Sequence, residues 1–311
     1  ELSFLNLPFD RPRPKAMSTQ GDTATLALPQ QLINELTVLG NKESATLFMV
    51  LLAALHVLLY RYTRQEDIII GVPTQCRIHP DAEKLIGFFV NTLPIRLSLS
   101  GNPSFRELLD RERKCCINAF RHQNLPFDRM VEELNPERLA NITPLCQVMF
   151  TLQDVRTREP MMGDIPLQQV IIRRHVAGLD LSFWVRQTAD GMGGAIEYST
   201  DLFDAETIRR FLANYTALLY AIAANPDMAI ARLDVLSEEE KHLVLDDWNR
   251  TERPYASEVP AYELFERQPG QTPAAIAAVF ENEGITYREL NARANQLARY
   301  LQQQGVGPEK L

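Results

Sequence analysis

Apolar residues recur along this chain with the period of helices in some segments and at every second residue, as in strands, in others. The segment from Thr46 to Arg61 is apolar on nearly every side, which predicts a helix at the centre of a hydrophobic core. A second long helix is predicted after Asp204, which we expect to cap it, and Asn225–Pro226 should end it. Its apolar stripe consists of Ile208, Phe211, Leu212, Tyr215, Leu218, Leu219 and Ile222.

Short β-branched or alternating segments predict strands between the helices. Ile68–Val72 is β-branched and is expected to form a buried strand that Pro73 closes. The chain alternates cleanly from Leu179, and a glycine-rich turn at Asp190 with a return to Ser199 predicts a hairpin. The remaining candidate strands are Thr23–Pro29, Ile86–Leu97 and Gln147–Leu152. Strands and helices in this succession indicate an α/β (α+β) fold.

Two Ser/Thr-x-x-Glu sequences predict helix starts, because each hydroxyl accepts the third amide while the glutamate reaches back. Ser104 and Glu107 precede one helix, and a shorter helix follows from Pro126 to Asn135. The apolar face of the first is expected to contain Phe105, Leu108, Leu109, Cys116, Ala119 and Phe120. Thr286 and Glu289 precede a last helix. Its inward residues are expected to be Leu290, Ala294, Leu297, Ala298 and Leu301.

The domain organisation follows from length and from a shift in composition. A chain of 311 residues corresponds to roughly two domains. The chain becomes polar after Leu236, so we predict a first domain over 1–236, a linker over 237–260 and a second segment over 261–311. That last segment is too short to be a complete nucleotide-using domain, and we expect it to expose its apolar stripe.

Charge, hydropathy and cysteine content exclude several classes of partner. The chain has 32 Lys and Arg against 40 Asp and Glu, a net charge of −8, which argues against a sequence-independent nucleic-acid binder. The longest apolar stretch, Leu47–Tyr60, is shorter than the about 20 residues that span a bilayer, so no membrane partner is expected. The N-terminus shows no signal-peptide pattern and the four cysteines form no disulfide framework. We therefore expect a cytoplasmic protein. The absence of an initial Met and the stop at Lys310–Leu311 in mid-pattern suggest a piece of a longer chain.

Familiar catalytic and metal-binding patterns do not occur in this sequence. The five histidines form no H-x-x-x-H or H-E-x-x-H pair, so no metal site is expected, and His56 is interpreted as a hydrogen-bonded core residue. There is no G-x-S-x-G nucleophile and no phosphate-binding glycine loop. Cys115 and Cys116 are interpreted as core packing rather than as chemistry.

Two segments contain polar residues at positions where the neighbouring sequence predicts a buried strand or the start of a helix. Ile86–Arg96 contains Asn91, Thr92 and Arg96 within an otherwise buried strand, so these groups either satisfy a core network or line a wet channel. Arg121–Phe127 concentrates hydrogen-bonding groups immediately before a helix. Ordinary capping of that helix, with Pro126 in its first turn, is the structural alternative to a functional role.

Several motifs in the right order resemble the condensation domain of nonribosomal peptide synthetases. Ile86–Arg96 is similar to the family's I-G-x-F-V-N-T-x-x-x-R motif, and His122–Phe127 is similar to its H-Q-x-x-P-F motif. Further resemblances lie at Leu7–Pro14, Gly71–Arg77 and Pro144–Phe150. The departures are Gln75–Cys76 and Ala140–Thr143. After the predicted linker, Thr286–Asn291 and its helix resemble the start of an adenylation domain.

The resemblance implies one of the two chloramphenicol-acetyltransferase-like lobes of a condensation domain, with a mixed sheet flanked by helices. The family's base is the second histidine of an H-H-x-x-x-D-G motif, which is absent here and is expected upstream of Glu1. No catalytic residue is therefore assigned, and the chain alone is expected to be inactive. The hairpin at 179–199 resembles the family's latch and would expose its apolar face. The residues expected to shape the substrate tunnel or its supporting network are Arg77, Asn91, Arg96, His122, Gln123 and Pro126.

The same resemblance implies cofactors and partners outside this chain. No cofactor is expected on the chain itself; phosphopantetheine belongs to partner carrier domains, and ATP and Mg belong to the complete adenylation domain. The expected partners are upstream and downstream peptidyl carrier domains, the first lobe and the rest of the adenylation domain. A catalytically dead docking lobe, a cyclisation variant and an epimerisation variant are alternatives. Asn91–Pro94 and the adenylation-like start weigh against epimerisation.

Overall fold

The computed structural model describes residues 4–77, 79–153, 161–162, 165–166, 175–188, 191–253 and 259–307. Asp190 of the predicted turn and residues 254–258 of the predicted linker lie outside these residues. The chain divides into two compact units, Glu1–Leu245 and Asp246–Leu311, which are described separately.

The first unit alternates strands and helices along the chain. Its helices are α1 (Gln30–Lys42), α2 (Leu47–Thr63), α3 (Phe105–Arg121), α4 (Phe127–Leu134), α5 (Ala205–Ala224) and α6 (Glu238–His242). Its strands are β1 (Gly21–Pro29), β2 (Asp67–Gln75), β3 (Val90–Ser98), β4 (Val148–Gln153), β5 (Met161–Met162), β6 (Ile165–Pro166), β7 (Leu181–Thr188) and β8 (Gly191–Ser199). A short 3-10 turn covers Pro80–Lys84, and a π-helical turn over Leu243–Asp247 begins in this unit and ends in the second.

Within the described residues, the first unit contains a six-stranded mixed sheet in the order β1-β8-β7-β4-β2-β3. β4 is parallel to β2 and to β7, and the other neighbouring strands are antiparallel. In this register Phe150 lies opposite Phe183, which lies opposite Ile196, so the three share one face of the sheet. All three are buried, and the mixed sheet with helices that the resemblance implied is confirmed.

The centre of the core is α2, as its all-round apolar pattern predicted. Every residue from Met49 to Leu59 is buried, and α2 contacts α1, α3 and α5 as well as β2. The Thr46 hydroxyl caps the helix by accepting from the Met49 amide at 3.3 Å. The Tyr215 hydroxyl of α5 donates to the Leu51 carbonyl at 2.9 Å, which ties the two buried helices together.

No single helix of the described residues has both the length and the hydropathy needed to cross a membrane. Helices α1 and α2 together have the length and hydropathy of a membrane span, but their axes bend by 101° at the break between them.

The structure corrects the sequence predictions at the ends of several elements. Helix α1 was not predicted, although Leu32, Ile33 and Leu36 have helical spacing and are buried. Strand β2 continues through Pro73, because its pairing with β4 is confined to Gly71 and Pro73 needs no amide on that side. Asp204 stands at the cap position of α5, but its carboxylate pairs with Arg11 instead of capping the helix.

The hairpin prediction is confirmed, but its interpretation as an exposed latch is wrong. β7 and β8 are antiparallel neighbours in the interior of the sheet, where Leu181, Phe183 and Val185 are buried. The hairpin lies between β1 and β4, and α1 contacts β8, so its apolar face has partners within the first unit. Gly191 has a φ of +139°, and a side chain there would meet the Leu28 carbonyl of β1 at 2.3 Å.

The segment before β3 is not the buried strand that its apolar sequence predicted. The strand begins at Val90, and the side chains of Ile86 and Phe88 are fully or almost fully exposed, at 105% and 91%. One backbone hydrogen bond, from the Cys76 amide to the Phe89 carbonyl at 2.8 Å, extends the β2–β3 pairing toward this segment. The apolar composition of residues 86–89 therefore led to a wrong prediction of burial.

The second unit contains α7 (Ala261–Gln271), β9 (Ile276–Phe280), β10 (Glu283–Thr286) and α8 (Tyr287–Gln303). Strands β9 and β10 pair antiparallel, and the predicted capping box of Thr286 and Glu289 is present at the start of α8. The apolar stripe of α8 is exposed, with Leu297 at 57% and Leu301 at 39%, so its residues do not face a core within this unit. This agrees with the expectation that so short a segment exposes its stripe.

Candidate functional site

The two polar motifs that sequence reasoning singled out are joined by the side chain of Asn91. Its Nδ2 donates to the carbonyls of Gln123 at 2.9 Å and Leu125 at 2.8 Å. Its Oδ1 accepts from the Phe127 amide at 3.0 Å. One amide side chain on β3 therefore satisfies three backbone groups of the loop between α3 and α4. We call residues 122–127, which include the first residue of α4, the α3–α4 loop.

Strand β2 and the residue that follows it contribute two further contacts to the same loop. Thr74 lies directly opposite Asn91 in the antiparallel register, and its hydroxyl donates to Gln123 Oε1 at 2.9 Å. The Cys76 thiol donates to the Gln123 carbonyl at 3.3 Å. Thr74 and Cys76 are site residues that the sequence did not reveal, although both lie within the Gly71–Arg77 motif that resembles the family.

The α3–α4 loop is shaped by helix ends as well as by the strands. His122 follows the last residue of α3, its Nδ1 lies 2.9 Å from the Asn118 carbonyl, and its side chain is exposed. Pro126 precedes α4 with φ −60° and ψ 140°, an extended geometry that proline favours. Since α4 has no side-chain cap, the bond from its Phe127 amide to Asn91 provides one of the missing partners.

The two arginines of the predicted network have other partners. Arg96 forms a two-pronged ion pair with Asp67 across β2 and β3, with Nε to Oδ1 at 2.9 Å, and this bonding lowers the pKa of Asp67. Arg77 donates to the carbonyls of Ala82 and Leu85 and lies over the Phe89 ring at 4.1 Å. The structure therefore brings Asn91 and Gln123 together, with Pro126 in the loop that they hold, and gives Arg77 and Arg96 separate contacts.

The cysteines of α3 and of the segment before β4 are poor candidates for nucleophiles. Burial raises the pKa of the Cys115 thiol to about 11 and that of Cys146 to about 12, so both are protonated near neutrality. Burial also raises the pKa of Cys116, which is wholly buried. In the described part of the chain, no group of three or more His, Cys, Asp or Glu residues has the arrangement of a metal site.

Two of the buried polar clusters outside the α3–α4 loop contain His56 and Asp180. His56 is wholly buried, as predicted, but the prediction that it is hydrogen-bonded is wrong, because neither ring nitrogen has a hydrogen-bond partner among the described residues. Its Nδ1 lies 2.9 Å from a carboxylate oxygen of Glu112 of α3, which is also wholly buried, without the geometry of a hydrogen bond. In the other cluster, Asp180 pairs with Arg13 and accepts from Gln147 Nε2 at 3.0 Å. The latter cluster fixes the proline-rich opening segment on the sheet.

Comparison with known proteins extends over nearly the whole chain. A condensation domain family model matches residues 1–245, and an AMP-binding enzyme model matches residues 265–311. Tyrocidine synthase 3 from Brevibacillus parabrevis is 41% identical, and malpinin synthetase from Mortierella alpina is 39% identical, each over 99% of this chain. Surfactin synthase subunit 1 from Bacillus subtilis (strain 168) is 40% identical, also over 99%. The chain spans only 5%, 4% and 9% of the length of these relatives, respectively.

Solved structures share the fold. A four-domain nonribosomal peptide synthetase bound to AMP and glycine matches 96% of this chain with a TM-score of 0.82 and 21% identity, over 24% of its own length. The X-domain from teicoplanin biosynthesis matches 75% of this chain with a TM-score of 0.69 and 27% identity, over 53% of its own length. Over residues 1–245 the chain belongs to the condensation domain family of the nonribosomal peptide synthetases, and an AMP-binding enzyme sequence follows it.

Proposed function

We propose that this chain supplies one half of a condensation domain that forms amide bonds between carrier-bound thioesters. The acceptor amine attacks the carbonyl carbon of the donor thioester, so that a C–N bond forms and the C–S bond breaks. The proton lost by the amine ends on the departing thiolate. The donor chain is thereby transferred to the acceptor and becomes one residue longer.

The observation that carries this proposal is the condensation domain match over residues 1–245. The chain covers 53% of the solved X-domain, which supports the proposal that it is one half of such a domain. The sequence contains no adjacent histidine pair, so we propose that the base which activates the amine comes from the other half. A histidine suits that task because its pKa lies near neutrality.

The α3–α4 loop is proposed to form part of the tunnel wall that the acyl chains enter. Asn91, Gln123 and Pro126 are the proposed wall residues, and the five hydrogen bonds that join the loop to Thr74, Cys76 and Asn91 support a fixed loop position. His122 and Arg77 are proposed to support the loop and the segment before β3. Arg96 is proposed to act only through strand pairing, since its guanidinium is engaged by Asp67.

The proposed domain ranges are 1–236 for the condensation part, 237–260 for the linker and 261–311 for the adenylation start. The proposed partners are peptidyl carrier domains that carry phosphopantetheine, the other condensation half and the remaining adenylation domain, which would use ATP and Mg. The four free cysteines support a reducing, cytoplasmic setting.

The proposal is tested by complementation. The chain is assayed with purified carrier domains loaded with donor and acceptor thioesters, alone and together with a condensation half that carries H-H-x-x-x-D-G. We expect amide product, detected by mass spectrometry, only when both halves are present. Product from the chain alone, or none from the pair, contradicts the proposal. The matched control replaces the second histidine of the added half by alanine and should abolish product.

A further inference from the structure

Gln123 is held in position by hydrogen bonds to its neighbours. Its Oε1 accepts from the Thr74 hydroxyl at 2.9 Å, while its backbone carbonyl accepts from Asn91 Nδ2 at 2.9 Å and from the Cys76 thiol at 3.3 Å. Both the main chain and the amide oxygen of this residue are therefore engaged. The amide nitrogen carries two N–H donors, and the bond with Thr74 uses neither of them.

The amide nitrogen of Gln123 is available to a ligand. Among the residues that the structure describes, no acceptor lies within hydrogen-bond distance of Nε2, and the residue is half-buried. Leu125, two residues further along the loop, exposes 47% of its side chain. A neutral donor beside an exposed apolar side chain suits a neutral carbonyl oxygen on an extended chain better than a charged group.

We propose that Gln123 Nε2 donates a hydrogen bond to a carbonyl oxygen of the carrier-bound acyl or aminoacyl chain, and that Thr74 is the positioning residue for this donor. The inference rests on the proposed condensation function. Thr74 acts because its hydroxyl is hydrogen-bonded to the amide and so limits the positions that the Gln123 side chain can take. Without that hydroxyl the Gln123 side chain can leave this position, and its hydrogen bond to the carbonyl oxygen is weakened.

The position of Thr74 explains why it can hold the amide firmly. It is paired with Asn91 across β2 and β3, so the residue that positions the side chain and the residue that positions the loop share one rung of the sheet. The strands are continuous on both sides of this rung, from Asp67 to Gln75 and from Val90 to Ser98. A donor placed by a sheet is set more precisely than one placed by a loop alone.

The test uses the complete condensation domain, assembled from both halves, and measures amide formation with carrier-bound thioesters. Thr74→Val keeps the shape of the side chain but removes the hydroxyl, whereas Thr74→Ser keeps the hydroxyl. Gln123→Met removes both amide groups at similar size. We expect Thr74→Val and Gln123→Met to raise KM about five- to tenfold with kcat nearly unchanged, the loss of about one neutral hydrogen bond. Thr74→Ser should stay within about twofold of the wild type.

A double substitution separates positioning from general stability. If Thr74 acts through Gln123, Thr74→Val adds no further change in KM to a Gln123→Met protein. The thermal unfolding midpoint of each variant is measured in parallel. Equal losses of activity and midpoint in Thr74→Val and Thr74→Ser, additive effects in the double variant, or a wild-type KM in Gln123→Met each overturn the inference.

Failure of the inference is distinguishable from failure of the proposed function. If the assembled wild-type domain forms no amide, the condensation function itself is wrong and this inference falls with it. If the wild type forms amide and the Thr74 and Gln123 variants match it, the function stands and only the hydrogen bond from Gln123 is refuted.

Discussion

Helices α5 and α8 have the same sequence pattern and opposite surroundings. Each has an apolar stripe with helical period, and each begins at an N-cap residue, Asp204 or Thr286. In α5 the stripe is buried, with Tyr215 and Leu218 wholly inaccessible. In α8 the corresponding face is exposed, with Leu297 at 57%. A periodic stripe therefore predicts which face of a helix is apolar. Whether that face is buried depends on whether the same unit contains another element that covers it.

The first unit has those partners because α1, α2, α3 and α5 pack with the six-stranded sheet to form one core. Helix α5 contacts α1, α2 and β1, so its stripe faces other elements on several sides. In the second unit α8 packs mainly against α7 and the two short strands within the described residues. Hydrophobic stabilisation scales with the apolar area removed from water, so the two stripes contribute very differently to stability.

Breaking the buried pair of the first unit is expected to have the largest effect. Glu112→Ala leaves His56 buried without its partner, and we expect a loss of about 3–5 kcal/mol in the free energy of unfolding, measured in urea. The matched substitution Glu263→Ala removes the exposed partner of Arg267 in the second unit and should cost less than about 1 kcal/mol. A small loss for Glu112→Ala would show that the buried pair contributes little.

The two stripes are compared directly by one substitution in each helix. Leu218→Ala removes a wholly buried side chain from α5 and is expected to cost about 2–5 kcal/mol. Leu297→Ala, the same change on the exposed stripe of α8, should stay within about 0.5 kcal/mol. Denaturant unfolding of this chain measures both. Equal effects would contradict the assignment of one buried and one exposed stripe.

A substitution at Asn91 tests whether tertiary hydrogen bonds, rather than the local sequence, hold the α3–α4 loop in place. Asn91→Ala removes three hydrogen bonds to the loop, and we expect a loss of about 1–2 kcal/mol with faster hydrogen exchange at the Phe127 amide. Asn124→Ala, at an exposed position of the same loop, is the control and should leave exchange at Phe127 unchanged. Unchanged exchange in Asn91→Ala would refute the role of Asn91.

Helix capping should not distinguish the two units, because it is local. Ser104→Ala and Thr286→Ala each remove a hydroxyl that accepts the third amide, at 3.3 Å in both helices. We expect a loss of about 1 kcal/mol of helix stability in each case. Hydrogen exchange in the first turn of α3 and of α8 measures both. A much larger effect at one site would mean that its cap also serves tertiary packing.

The smallest expected effect is the pH dependence of these caps. Hydrogen bonds from the Ser104 and Thr286 backbone amides, and then from their hydroxyls, lower the pKa of Glu107 and Glu289 below the ordinary value of 4.5. Since the folded-state pKa is the lower one, the stabilisation is complete above about pH 4.5 and is lost as the pH falls through the folded-state value. Carboxyl chemical shifts followed by NMR should give titration midpoints below 4.5 for both residues, and a midpoint at or above 4.5 for either would contradict this role of its cap.

Local features of the fold were predictable from the sequence because their causes lie within a few residues. The all-round apolar pattern of α2, both capping boxes and the β7–β8 hairpin have such causes, and all are present. Helix α1 was missed because Pro29 at its cap position provides no side-chain cap, although its buried leucines have helical spacing. The exposed segment at Ile86 and Phe88 was misjudged because composition does not tell whether another element covers it.

In the candidate site, too, some residues were predictable from local motifs, whereas the contacts between them were not. Motif resemblance pointed to Asn91 and to Gln123, but it did not reveal that one side chain holds the loop of the other, 32 residues away. The contact from Thr74 to Gln123 joins residues 49 positions apart and has no signature in either segment alone. Such contacts depend on strand register, which pairs Thr74 with Asn91 and brings both to the α3–α4 loop.

The sequence by itself determined the family motifs, the helix starts and the faces that helices and strands offer to a core, since these follow from side-chain chemistry at short spacing. Only the tertiary structure decided which stripes are buried, which hairpin is interior and which polar side chains meet at the α3–α4 loop. The physical reason is that burial and hydrogen bonding act between residues distant in the chain, and their free energies depend on how the elements are packed.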